Sequence, residues 1–99
     1  MEKTKRLSNG SEMPRLGLGV WRVDEKDATN SVQWAIESGY HLIDTAAVYK
    51  NEKGVGEGIR AAGIKREELF VTTKLWNADQ GYESAHKAFD ESLERLGLD

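Results

Sequence analysis

Leu69-Phe70-Val71-Thr72-Thr73-Lys74-Leu75-Trp76 is the clearest strand in this chain, because β-branched and aromatic residues fill it. Upstream, Asn51 can cap a helix with Val55, Ile59 and Ala62 as its apolar stripe and Gly63 as its stop, although three internal glycines lower its propensity. Downstream, a helix carries Tyr82, Ala85, Phe89, Leu93 and Leu96 on one face. Glu83 with Lys87 and Glu91 with Arg95 form i, i+4 pairs on its other face, and Gly97 closes it. The same order recurs one unit earlier. Asp24 can cap a helix in which Ala28, Val32, Ala35 and Ile36 recur at helical spacing, Gly39 stops it, and Tyr40-His41-Leu42-Ile43-Asp44 follows as a strand. Leu16-Gly17-Leu18-Gly19-Val20-Trp21 is the first strand of the series, its glycines suiting a backbone that something approaches closely. Ahead of it, Asn9-Gly10 between short flanks predicts a hairpin with a type I′ turn, positive φ at both central residues, ended by Pro14.

Strand and helix alternating in units of about 25 to 30 residues is the pattern of consecutive βα crossovers on a parallel sheet, so the class is α/β. Residues 1–14 form the hairpin and 15–99 three βα units of one domain. Two architectures fit: an open doubly wound sheet, or a portion of an eightfold barrel, which needs about 250 residues when complete. In an incomplete barrel Leu18, Leu42, Ile43 and Val71 are expected on inward strand faces, each contributing about 1.5 to 3 kcal/mol when fully covered.

Composition narrows the function classes. A net charge of -3 with interspersed signs gives no basic stripe, so nucleic acid is not an expected partner. The chain has no cysteine, which removes disulfides and thiolate metal sites, and no metal is expected. Its charged start leads into no long apolar run, so neither a secretory signal nor a membrane span is read, and the cytoplasm is the expected location.

Parallel α/β folds gather ligands at the carboxyl ends of strands, where Trp21, Asp44 and Lys74 fall. An aspartate and a lysine in apolar runs are each costly to bury alone, and paired they neutralise each other. Tyr49 lies in the loop after Asp44, within reach of the pair. A cationic Lys74 beside its phenol would stabilise the phenolate and make the tyrosine a usable proton donor, a general acid assembly. From spacing alone, a structural ion pair beside a packing tyrosine is the more ordinary reading.

Four ordered stretches go further: Met13-Pro14-Arg15-Leu16-Gly17-Leu18-Gly19-Val20-Trp21, Gly39 through Tyr49, Asn51-Glu52-Lys53-Gly54-Val55-Gly56, and Arg66 through Trp76. In these the chain resembles the N-terminal part of an aldo-keto reductase, of the bacterial diketogluconate reductase type. The resemblance implies a (β/α)₈ TIM barrel closed at its bottom by the hairpin, with only its first three βα units in this chain. It implies NADPH (NADP) as cofactor and reduction of small aldehydes and ketones to alcohols. By position Tyr49 matches the proton donor, Lys74 the lysine that tunes it, and Asp44 the aspartate paired with that lysine. Gly19, Val20, Trp21 and Asp44 fall where the cofactor binds, while Trp21, Tyr49 and Trp76 fall on the substrate pocket. The family's fourth catalytic residue, a histidine beyond the fourth strand, would follow Asp99. His41 and His86 do not match it and read as surface or helix-packing residues. The alternative is a truncated, inactive fragment that self-associates or binds partners through open strand edges.

Two further features have ordinary readings. Gly54-Val55-Gly56-Glu57-Gly58 lacks the strand before it and the Lys-Ser/Thr ending of a phosphate loop, so helix packing explains it better. Trp34, beside Ala35 and Ile36, reads as a core or barrel-to-helix contact.

Overall fold

The computed structural model describes residues 3–99, so Met1 and Glu2 of the expected hairpin lie outside the described residues. The hairpin comprises β1 (Thr4–Arg6) and β2 (Glu12–Pro14). Three βα units follow: β3 (Leu18–Gly19) with α1 (Glu25–Glu37), β4 (Leu42–Asp44) with α2 (Glu52–Ala62), and β5 (Phe70–Thr72) with α3 (Tyr82–Leu96). The last three strands form a parallel sheet in the order β3-β4-β5, the arrangement expected of consecutive crossovers. Regular pairing is shorter than the apolar runs suggest. Backbone bonds nevertheless carry the ladder onward, from Val20 N–H to the Asp44 carbonyl (3.2 Å), Thr45 N–H to Thr72 (2.8 Å) and Ala47 N–H to Lys74 (3.2 Å).

Register decides what each strand residue faces. Leu18, Ile43 and Val71 are aligned across the sheet, as are Gly19, Asp44 and Thr72 one step on. The first set joins the core formed with Val20, Ala28, Val32, Ile36, Val55, Ile59, Leu69 and Leu96. Successive side chains point to opposite faces, so the expectation that Leu18, Leu42, Ile43 and Val71 share the inward face is corrected: only Leu42 alternates away from the helices. It is covered there by the close approach of Gly17, where a Cβ would stand 2.6 Å from Leu42 Cγ.

Asp24 caps α1 as expected, its carboxylate accepting from Asp27 N–H at 2.8 Å, and Ala28, Val32 and Ile36 form the buried stripe. Gly39, at φ 105°, takes the left-handed position just past the helix. Trp34 is not in the core. At 62% exposed it sits about 200° around the helix from Val32, on the opposite side from the stripe.

The glycines of α2 are packing residues. A Cβ at Gly54 would lie 2.2 Å from the Glu25 carbonyl oxygen, one at Gly56 2.2 Å from that of Leu96, and one at Gly58 2.5 Å from that of Thr29. Their absence lets α2 pass in backbone contact with α1 and α3. Thr29 Oγ1 uses that proximity to donate to the Gly54 carbonyl at 2.9 Å.

Two local expectations fail for geometric reasons. In the hairpin only Gly10 has positive φ; Leu7 N–H reaches the Ser11 carbonyl (2.7 Å) and Gly10 N–H that of Leu7 (3.0 Å), making a three-residue loop rather than a type I′ turn. On α3, Ser92 and Leu96 are buried whereas Tyr82 is 82% and Phe89 56% exposed: the buried positions lie in its C-terminal half, where Leu96 meets Gly56 and Arg60 of α2. Tyr82 stacks edge-on with His86 instead, ring centroids 4.6 Å apart. Glu91 pairs loosely with Arg95 at 3.9 Å, and no Glu83–Lys87 pair forms among the described residues.

Candidate active site

The carboxyl end of β4 presents Asp44 on the face of the sheet turned away from the helices. Thr72, its register partner on β5, donates a short hydrogen bond to Asp44 Oδ1. Lys74, two residues further, therefore projects from the same side, and its Nζ donates to Asp44 Oδ2 at 2.9 Å, to the Thr45 carbonyl at 3.2 Å and to the Tyr49 hydroxyl at 3.4 Å. Tyr49 reaches the pair because the loop after β4 folds back in a 3₁₀ turn, Ala47–Tyr49, ended by Lys50 in a left-handed conformation at φ 59°. The Ala47 bond to Lys74 ties that loop to the strand extension. Half-buried, the Tyr49 side chain packs on the core while Lys74 Nζ stands 5.3 Å from its ring centroid.

Electrostatics at the cluster agree with an ion pair. Partial burial pushes the Asp44 carboxyl up, but hydrogen bonds from Thr72 and Lys74 and the lysine's charge outweigh it, so the group is held below the ordinary carboxylate value. Lys74 is raised above the ordinary ammonium value, chiefly by its hydrogen bond to Asp44, against partial burial and with further help from Tyr49 and the Asp44 charge. Both side chains keep substantial solvent contact.

Asp44, Tyr49 and Lys74, singled out from the sequence, thus meet in one place. Gly19 joins them: it is the register partner of Asp44, and a Cβ built there meets nothing within 4 Å, whereas the expected Val20 is sealed in the core and reaches Asp44 only through its backbone N–H. The backbone beside the carboxylate is open to an incoming group. Trp21 is 64% exposed in the turn that follows, with the Arg22 guanidinium 4.6 Å above its ring. Trp76 instead lines an open cleft of about 700 Å³ with Ala47, Val48 and Lys87, which none of the three polar residues lines. No ring contact joins Trp21 or Trp76 to Tyr49 among the described residues.

The roles of two residues escaped the sequence reading, which took Asn51 for a helix cap. Asn51 sits at the start of α2 but its side chain does not cap it: Oδ1 accepts from Thr45 Oγ1 at 2.8 Å, and Nδ2 donates to the Val20 and Val23 carbonyls, both at 2.9 Å. Glu52, only 1% exposed, accepts from Thr73, Ser92 and Arg95. The signal lay in the glycines: a helix packed closely along its length buries its first turn, and polar residues there must find partners inside. Among the described residues no group of His, Asp or Glu could hold a metal ion, and no helix is long and apolar enough to cross a membrane.

Comparison with known proteins points one way. The family model for the aldo/keto reductase family matches residues 10–99. The glyoxal reductase of Bacillus subtilis is 58% identical over the whole of this chain, which covers 36% of that protein, and the morphine 6-dehydrogenase of Pseudomonas putida is 59% identical, with 94% and 31% covered. Among solved structures, an aldo/keto reductase from Brucella melitensis superposes with a TM-score of 0.94 at 52% identity over 97% of this chain and 37% of its own. A Bombyx mori aldo-keto reductase in complex with NADP gives 0.91 at 44% identity over 97% and 34%. The chain spans about a third of the length of these relatives.

Proposed function

The chain belongs to the aldo/keto reductase family, and on that footing we propose that its polar cluster serves NADPH-dependent reduction of aldehydes and ketones to alcohols. One observation carries the reading: a single ammonium, Lys74 Nζ, lies 2.9 Å from the Asp44 carboxylate and 3.4 Å from the Tyr49 hydroxyl, beside open backbone at Gly19. Gly19 and Trp21, with Asp44, are the residues that would hold the cofactor; Val20, buried and bonded at both backbone groups, supports the strand end behind them. An uncluttered strand end next to a carboxylate suits a flat, amide-bearing ring such as nicotinamide. Bound NADPH supplies the hydride that goes to the carbonyl carbon.

The chain's own part is the proton. Tyr49 gives its hydroxyl proton to the carbonyl oxygen as that oxygen gains charge, leaving a phenolate beside Lys74. Asp44 holds the lysine charged and fixed in that position. The half-exposed lysine borders solvent, from which the proton returns once the alcohol leaves. Because the relatives include a protein named glyoxal reductase, glyoxal is the first substrate to try.

The test is loss of nicotinamide absorbance with NADPH and glyoxal, in a protein where this chain is joined to the part of the Bacillus subtilis glyoxal reductase that it does not match. Tyr49→Phe should lower turnover by about 10²- to 10⁴-fold. Equal turnover of the two would overturn the assignment. A second reading rests on the sheet edges: β3 and β5 each pair on one side only among the described residues, which favours self-association of the chain by itself. A sizing experiment that finds a folded monomer removes that reading.

A further inference from the structure

Asn51 and Glu52 are adjacent, almost wholly buried, and reach the residue next to each polar member of two strand ends. Thr45, which follows Asp44, donates to Asn51 Oδ1 at 2.8 Å; Thr73, which precedes Lys74, donates to Glu52 Oε2 at 2.6 Å. Asn51 Nδ2 also holds the Val20 and Val23 carbonyls, bracketing the turn that carries Trp21. Behind them, Glu52 Oε1 accepts from Arg95 Nε at 2.8 Å and Ser92 Oγ at 3.2 Å, so α3 anchors the carboxylate from the far side. We propose that Asn51 and Glu52 are positioning residues that clamp the ends of β3, β4 and β5 so that Lys74 stays on Asp44.

The geometry explains why two polar residues occupy the closely packed first turn of α2. A buried carboxylate without partners is costly, and every donor Glu52 meets lies on β5's extension or on α3. A merely stabilising role would need no such distribution: α3 alone could satisfy Glu52. Splitting the two oxygens, with Oε2 for the site strand and Oε1 for the outer helix, transmits the position of α3 to Thr73 and hence to the lysine beside it. Asn51 does the same for Thr45, whose carbonyl is itself a Lys74 acceptor at 3.2 Å. Both residues act through their neighbours and touch none of the reacting groups.

This inference rests on the reductase reading of the site, but its test needs no turnover. The side-chain carboxyl resonance of Asp44 is followed against pH in the labelled 99-residue chain and its variants. Thr73→Val and Glu52→Gln should raise the Asp44 midpoint measurably toward the ordinary carboxyl value, as Lys74 drifts from it. Thr73→Ser, which keeps the hydroxyl, should leave the midpoint in place, as should Ile59→Val, which loosens α2 without touching the clamp. If Glu52→Gln does not fold, the Val and Ser variants of Thr73 decide alone. A folded Thr73→Val chain with an unchanged midpoint overturns the clamp, and so does an equal shift in Ile59→Val. A normal Asp44 response with no reductase turnover would instead count against the function and leave the clamp standing.

Discussion

The two faces of the small parallel sheet are built from neighbouring residues and do opposite things. Leu18, Ile43 and Val71 turn to the helices; Ile43 is sealed completely into the core, and Leu18 and Val71, half-buried, pack against it. One residue further along each strand, Gly19, Asp44 and Thr72 turn the other way and keep an open, polar surface on which Lys74 and Tyr49 close. Core packing and the proposed site are thus interleaved at a spacing of one residue. The lesson is that a strand end can carry an expensive polar group when its partner on the next strand and the residue before it are both fixed.

That division can be broken from either side. The largest effect is expected on the sealed face: Ile43→Ala should cost about 2 to 5 kcal/mol, read as a lower urea midpoint. A loss under 1 kcal/mol would mean that this face is not where stability resides. Smaller, about 1 to 3 kcal/mol, is the cost expected for Gly56→Ala, since the new methyl must displace the Leu96 carbonyl; an unchanged midpoint would show that α2 and α3 are not in backbone contact.

The open face should respond least in stability and most in its pH dependence. Asp44 is depressed in the folded chain, so its contribution is present above the ordinary carboxyl value and fades as pH falls through the folded value. Lys74 is raised, so its share is present below the ordinary ammonium value and fades as pH rises through the folded one. Solvent screens both groups, and Asp44→Asn should therefore cost under about 1 kcal/mol near neutrality. The difference from the parent should shrink in acid. A variant that loses as much at low pH as at neutral pH would show that packing, not the ion pair, was removed.

Much of this plan was legible in the residues. The alternation of β-branched runs with capped helical stripes gave the βα order, because period two and period 3.6 leave distinct marks on a sequence. Asp44, Tyr49 and Lys74 could be singled out because charge at the end of an apolar run demands a partner. Trp34 and the Tyr82–Phe89 side of α3 misled because hydrophobic side chains announce burial, while which arc of a helix is covered depends on its neighbours. Asn51 and Glu52 stayed hidden for the converse reason. Their neighbours in sequence look like an exposed helix start, and only the close approach of α1 and α3 across the glycines of α2 puts them inside.

The central claim is that the open face supplies a proton and little stability, and Tyr49→Phe tests it when thermal unfolding and glyoxal reduction are measured on the same preparation of the chain joined to the unmatched part of glyoxal reductase. The account predicts a turnover lower by about 10²-fold or more with an unfolding midpoint within about 2 °C of the parent. Retained turnover, or a loss no larger than the fraction of protein unfolded, would contradict it.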